Sequence, residues 1–282
     1  MNVGSLAARL ELARAERERA AGVIAHCLHE PLSRARALAD AARRNERRWG
    51  RQTRRLLARL RSKRAHGIEV ACAERRRLAA FNAYLREEDR PKMLLGLHFG
   101  SFFADLIKML DAAPRGTRVC APVPGRSLPL LEPLVGYARA IGVELSLLPL
   151  KSKLALALRH ARERRDVVLM LGDLGAAHGR TVATTLFDTA VHLVAGPYSI
   201  ARWLGAQLVL VRPELGRDGA GLGFDALDDD LHSCIATLAA RYARRAEQLI
   251  ASAPTHWLRW QHFTELLSTE PADDAASSGG GR

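Results

Sequence analysis

From residue 93 onward, short apolar runs alternate with stretches whose apolar positions recur every three or four residues. The runs at 93–97, 118–121, 143–147, 167–171, 184–187 and 208–211 have the length of buried strands. The stretches at about 101–111, 128–141, 152–164 and 196–204 have helical spacing. This alternation predicts an α/β fold with a mostly parallel central sheet flanked by helices. Two further helices, at about 228–251 and 255–267, complete the unit. Upstream of residue 93 the pattern is helical only, which predicts an N-terminal helical extension. One helix, capped by Ser5, runs to about Leu28 before Pro31; a second covers 32–64; a third covers 73–89 and ends near Pro91. In the second helix Trp49, Thr53, Leu56, Leu57 and Leu60 form a narrow semi-apolar stripe, and Arg44, Arg47, Arg48, Arg51 and Arg55 cover another face. Gly50 weakens that helix by about 1 kcal/mol relative to alanine and marks a place where it can break.

The organisation that follows is a basic amphipathic helical arm at 1–68, an α/β domain at 69–267 and a small, polar, glycine-rich disordered tail at 268–282. Charge sharpens the division. Of the formal net charge of +13, the stretch 43–64 carries +10, with eleven basic residues against the single acid Glu46. Such a segment points to an anionic partner: an acidic lipid surface, an acidic carrier protein or a nucleic acid. No recognisable nucleic-acid module accompanies it, so nucleic acid is not expected. A merely solvated helix face is the bland alternative.

The four cysteines lie far apart without CxxC spacing, which argues against a disulfide framework or a zinc site and for reduced thiols in the cytoplasm. The first twenty residues are too charged for a signal peptide. No run of about 18 apolar residues occurs, so any membrane contact is expected to be peripheral.

Candidate chemistry gathers where strands end. In "LGLHFGSFFADL" (95–106) an apolar strand delivers His98 to a turn, and a helix begins just beyond. Ligands of open α/β sheets collect at such carboxyl ends. Gly100 permits a tight turn there, Ser101 can cap the helix, and the helix start favours an oxyanion or phosphate. A neutral imidazole so placed suits a general base, although a histidine bonded to a loop carbonyl satisfies the same sequence.

Four blocks together resemble the late lipid A acyltransferases, the lauroyl/myristoyl transferase family of the wider glycerolphosphate-acyltransferase-like group. "LGLHFGSFFADL" is similar to the family's histidine block, and "VVLMLGDL" (167–174) to its strand ending in an Asp–Gln pair. "LFDTAVHLVAGPYSIARWLGAQLVLV" (186–211) resembles a third block, with the nine-residue step from Phe187 to Gly196 kept. "SAPTHWLRWQHF" (252–263) resembles its closing Pro…Trp…Trp segment. The likeness covers about residues 70–265 in the family's order.

The sequence also departs from that pattern. The family's acid, five positions after the histidine, is replaced by Phe103. Asp105 is the nearest substitute, but in a continuous helix it would stand ~10 Å from His98. Asp173 is kept at a strand end, where it can orient His98 or a substrate amine, or simply cap a loop. Leu174 replaces the glutamine, and Asp188 replaces a glycine. Arg139 stands three rather than four positions before a glycine, so it matches the family's arginine only loosely. Arg126 and Arg180 are loop arginines that could contact an anionic acceptor or simply be solvated.

The resemblance implies acyl transfer from an acyl carrier protein or coenzyme A thioester to a hydroxyl or amine of a lipid or glycolipid. It implies no bound cofactor or metal, and a location on the inner face of the cytoplasmic membrane. His98 would act as base, with Asp173 or Asp105 supporting it and amides after Gly100 and Ser101 receiving the oxyanion. Phe102, Phe103, Leu106, Ile107, Leu110 and Gly196 would line the acyl site, and the arm with Trp49 would meet membrane or carrier. The alternative is a relative that has lost catalysis and serves as an adaptor for acyl chains or their carrier.

Overall fold

The computed structural model describes residues 3–61, 72–87, 90–150, 154–214, 221–228 and 233–267. Five of the six apolar runs become strands of one six-stranded sheet in the order β3-β2-β4-β1-β7-β8. These are β1 (Lys92–Gly96), β2 (Arg118–Val123), β3 (Glu144–Pro149), β4 (Val167–Leu171), β7 (Gln207–Glu214) and β8 (Gly221–Asp228). The first five run parallel and only β8 pairs antiparallel, at the edge beside β7. The molecule is therefore an α/β protein with a mostly parallel sheet. Its crossover helices are α4 (Phe102–Ala112), α5 (Leu128–Ala140), α6 (Leu154–Arg164) and α7 (Gly196–Leu204).

Several elements differ from the expectations. A separate hairpin, β5 (Thr181–Leu186) with β6 (Thr189–Val194), stands where one strand was expected. Strand β8 was not anticipated, because "GLGFDALD" interrupts its apolar residues with glycines and aspartates. Helix α8 (Ile235–Ser252) begins later than position 228, with the Cys234 sulfur accepting from the Thr237 amide at its start. The expected last helix is instead two 3₁₀ turns, Pro254–His256 and Trp260–Leu266. At the other end, Ser5 lies within α1 (Val3–Leu28) rather than at its cap, and α2 (Leu32–Arg61) continues unbroken through Gly50. Positions 62–64, the 68/69 boundary and the tail at 268–282 lie outside the described residues.

The two-residue turn of the β5–β6 hairpin explains why its signal was weak. Phe187 and Asp188 both have positive φ, 52° and 54°, a conformation that hairpins normally give to Asn-Gly or Asp-Gly. Phe187 is held there by its surroundings: its ring packs 5.8 Å from Trp260, and its amide donates to Glu247 on α8 at 2.7 Å. Asp188 is exposed, and no such packing compensates its backbone. Asp188→Gly is expected to raise stability by about 0.5–1 kcal/mol, read as a higher midpoint in urea unfolding. A lower midpoint would show that the aspartate side chain supports the turn.

Two apolar cores lie against the sheet. One joins α6, α7, α8, the hairpin and the C-terminal turns; the other joins α4, α5 and α3 (Cys72–Glu87). Helix α2 belongs to both, through Ala35, Ala39 and Ala42 in the first and Leu57 and Leu60 in the second. Over its described residues, the N-terminal arm is thus a packed helical pair, with α1 against α2 and against the final 3₁₀ turn. The semi-apolar stripe of α2 faces the protein: Leu57 and Leu60 are buried, Leu56 packs on the second core, and Trp49 lies 5.2 Å from the His256 ring.

Candidate active site

The parallel register of β1 and β4 assembles the site. Gly96 stands opposite Leu171, the last matched pair, and both chains continue past the sheet edge. Two residues further on, His98 and Asp173 arrive abreast. The Asp173 carboxylate accepts three hydrogen bonds: from the His98 backbone amide (2.9 Å), from the Trp257 indole (3.0 Å) and from His98 Nδ1 (2.9 Å). Asp173 is 3% exposed. Burial alone would raise its pKa, but the charge of His98 and these donors together bring it below its ordinary 3.8. An ionised carboxylate only accepts, so Nδ1 carries the hydrogen, and in the neutral imidazole Nε2 presents a lone pair. This is the base-and-orienter arrangement of a hydrolytic triad, with the acid drawn from a neighbouring strand.

Both loops are tightly held. Gly100 has φ 59° and donates its amide to the His256 carbonyl at 2.8 Å. The Leu258 amide in turn donates to the His98 carbonyl at 2.8 Å, and Phe99 bridges Trp257. The aspartate loop is flanked by two glycines with no room for a side chain. A Cβ on Gly172 would overlap the Tyr242 ring, and one on Gly175 would overlap the Glu265 carbonyl. The strip 256–258 therefore orients the histidine turn and the carboxylate together.

His98 opens into a cavity of about 560 Å³, within the usual range of small-molecule sites. Its walls are mostly apolar and include Leu106, Met109, Leu134, Leu145, Leu147 and Ile200. Leu145 and Leu147 of β3 line it, as does Leu150 just beyond the strand.

The sequence matches no protein-family model and no curated protein. What the site can do is read from its geometry.

The candidate residues fall into three groups. Phe102, Asp105, Arg126 and Gly196 line the same cavity as His98, with the Phe102 ring 5.4 Å from the imidazole, edge-on. Others sit elsewhere. Phe103 is 2% exposed and belongs to the second core, because one position along α4 turns it about 100° away from Phe102. Ile107 and Leu110 share that core. Asp105 reaches toward Lys108 at 3.3 Å, while the carboxylate bonded to His98 is that of Asp173. Arg139 is exposed in the last turn of α5, the end that leads into β3 and away from the carboxyl edge of the sheet. Arg180 is exposed and outside the cavity wall, with its backbone carbonyl tied to Ala195.

In the third group the backbone position agrees but the contact differs. Ser101 stands at the N-cap of α4, yet its hydroxyl makes no cap bond and is buried without a partner among the described residues. The Gly100 amide is engaged by His256, so it does not serve an oxyanion; the first-turn amides of α4, from Phe102 onward, precede the first helix bond at Asp105.

Trp257, His178 and Arg259 were not singled out in the sequence, and all three matter here. Trp257 is fully buried and fixes the carboxylate; the other two line the cavity. The Trp257 signal lay in the closing block, where the resemblance marked a tryptophan without giving it a partner.

Proposed function

We propose that the protein is an acyltransferase of the glycerolphosphate-acyltransferase-like kind, akin to the late lipid A acyltransferases. It moves a fatty or polyene acyl group from an acyl carrier protein or coenzyme A thioester to a hydroxyl or amine of a lipid or glycolipid. The observation that carries this reading is the Asp173–His98 pair beside a largely apolar cavity of about 560 Å³. A scaffold needs no imidazole held in one tautomer with its free nitrogen toward such a space, so an adaptor role explains less.

In this mechanism the acyl chain lies in the cavity and its thioester carbonyl sits beside Nε2. Nε2 removes the proton of the acceptor O–H or N–H as that atom attacks the carbonyl carbon. The oxyanion forms against the first-turn amides of α4. The carbon–sulfur bond then breaks, and the imidazolium returns its proton to the departing thiolate. Asp173 stabilises the imidazolium without taking its proton.

No helix among the described residues is long and apolar enough to cross a membrane. Contact with a bilayer at its cytoplasmic face therefore rests on the surface. Arg44, Arg47, Arg48, Arg51 and Arg55 are exposed on α2, and Glu46 is turned inward to Gln261 at 3.2 Å. With Leu57 and Leu60 buried, this face attracts anions by charge and does not insert as an amphipathic helix. Changing the five arginines to glutamine is expected to abolish flotation with anionic vesicles in low salt. Flotation that survives, or that occurs equally with neutral vesicles, would remove α2 from this role.

The function itself is tested with acyl carrier protein thioesters and an acceptor lipid, following free thiol and the mass of the acceptor. Acceptor gaining one acyl group per thiol released is the expected result. Thioester that stays intact while remaining bound would favour the adaptor.

A further inference from the structure

Helix α2 has a second face, and it meets the catalytic region. At about 100° per residue, Ala42, Asn45, Glu46 and Trp49 fall on one side of the helix, turned away from the arginines at 44, 47, 48, 51 and 55. Ala42 is buried in the first core together with Trp257. The Asn45 side-chain amide donates to the Thr255 carbonyl at 3.0 Å. Gln261 donates to the Glu46 carboxylate at 3.2 Å, and the Trp49 ring lies 5.2 Å from the His256 ring. Two turns of α2 therefore grip residues 255–261 from outside.

The same short segment grips the site from inside. The His256 carbonyl accepts from the Gly100 amide, the Trp257 indole donates to Asp173, and the Leu258 amide donates to the His98 carbonyl. The His256 ring is also stacked on Phe99, at 5.6 Å. Trp49, His256 and Phe99 thus form a chain of ring contacts that ends one residue from His98. Little in the segment itself fixes its place. Residues 254–256 make a single 3₁₀ turn, and Trp257 is extended beyond it, its amide 3.4 Å from the Pro254 carbonyl. One turn has no run of internal bonds to hold it rigid, so its neighbours set its position. On the inner side those neighbours are the catalytic loops. On the outer side they are Asn45 and Trp49.

We propose that Asn45 and Trp49 are positioning residues for the His98–Asp173 pair, acting through residues 255–257. Neither residue lines the cavity; they hold the segment that holds both loops. The geometric part stands on its own, and its effect on turnover rests on the acyl-transfer reading.

Hydrogen exchange followed by nuclear magnetic resonance reads the geometry without any substrate. Trp49→Ala and Asn45→Ala are each expected to speed exchange of the Gly100 and Leu258 amides by about tenfold. The Asp166 amide, buried at the amino-terminal edge of the sheet and bonded to the Ala161 carbonyl, should keep its rate. Trp49→Phe retains a ring against His256 and should restore most of the protection. Asn45→Ala removes one hydrogen bond at a half-buried helix position, so it keeps the test open if Trp49→Ala fails to fold. In turnover, both alanine variants should lower kcat by about 10- to 100-fold with the KM for the thioester unchanged. Added to His98→Ala, neither should lower the residual rate further, because the effect passes through that imidazole. Unchanged exchange at Gly100 and Leu258 in either variant that folds, or equal acceleration at Asp166, would overturn the inference. So would a loss in the His98→Ala background as large as in wild type. If the wild-type protein releases no thiol, the acyl-transfer reading fails, and the exchange rates still decide the positioning role.

Discussion

His98→Ala is expected to slow thiol release from an acyl carrier thioester by about 10²- to 10⁴-fold, the usual contribution of a positioned general base. The loss should fall on kcat and leave the KM for the thioester nearly unchanged, because the apolar walls that hold the chain stay in place. The turn itself should persist, since its bonds are made by backbone: the His98 amide to Asp173, the His98 carbonyl from Leu258, the Gly100 amide to His256. Circular dichroism and the urea midpoint monitor that persistence. A variant that folds and still turns over at the wild-type rate would end the proposed mechanism.

Asp173→Asn should be almost as damaging, for a reason the geometry supplies. One carboxylate oxygen, Oδ2, faces two donors, the His98 amide and the Trp257 indole. An asparagine can answer both only by placing its carbonyl oxygen there. Its NH₂ group must then face Nδ1, which reverses the imidazole tautomer and puts the hydrogen on Nε2. A base with its lone pair turned away cannot accept the substrate proton. The expected fall in kcat is about 10²- to 10⁴-fold, with little change in side-chain volume. Activity within a few-fold of wild type would show that Asp173 is structural only.

The same variant reports a pH dependence. The folded pKa of Asp173 lies below its ordinary 3.8, so its ionised form favours the folded state. That contribution is complete above the unfolded carboxylate pKa and disappears as pH falls through the lower folded value. Wild type should therefore exceed Asp173→Asn in stability at pH 7, and the gap should narrow as pH falls below the ordinary 3.8. A gap that widens on acidification would contradict the assigned ionisation.

Much of this was legible before any coordinates, and the exceptions have physical causes. Strand β4 (Val167–Leu171) and helix α7 (Gly196–Leu204) match their sequence patterns because each is bounded by clear local signals, an apolar run and a Gly-Pro start. Strand β8 was hidden because an edge strand buries few side chains and tolerates Gly223 and Asp225. The β5–β6 turn was hidden because Phe187 is held at positive φ by tertiary packing. His98 and Asp173 were each readable as strand-end residues. Their bond was not, since it depends on which strand neighbours which, a relation that spans 75 residues of chain. Asp105 gained attention only through proximity in sequence, and on α4 its carboxylate meets Lys108 instead. His178 and Arg259 lie on turns whose direction no periodicity specifies.

The strip 256–258 locks the imidazole turn and the aspartate loop at once, although it is synthesised long after both. A ribosome-bound chain that has already exposed residues 98 and 173 still lacks the piece that sets their geometry. On the proposed mechanism, the growing polypeptide gains its fixed imidazole–carboxylate geometry only when this late segment docks.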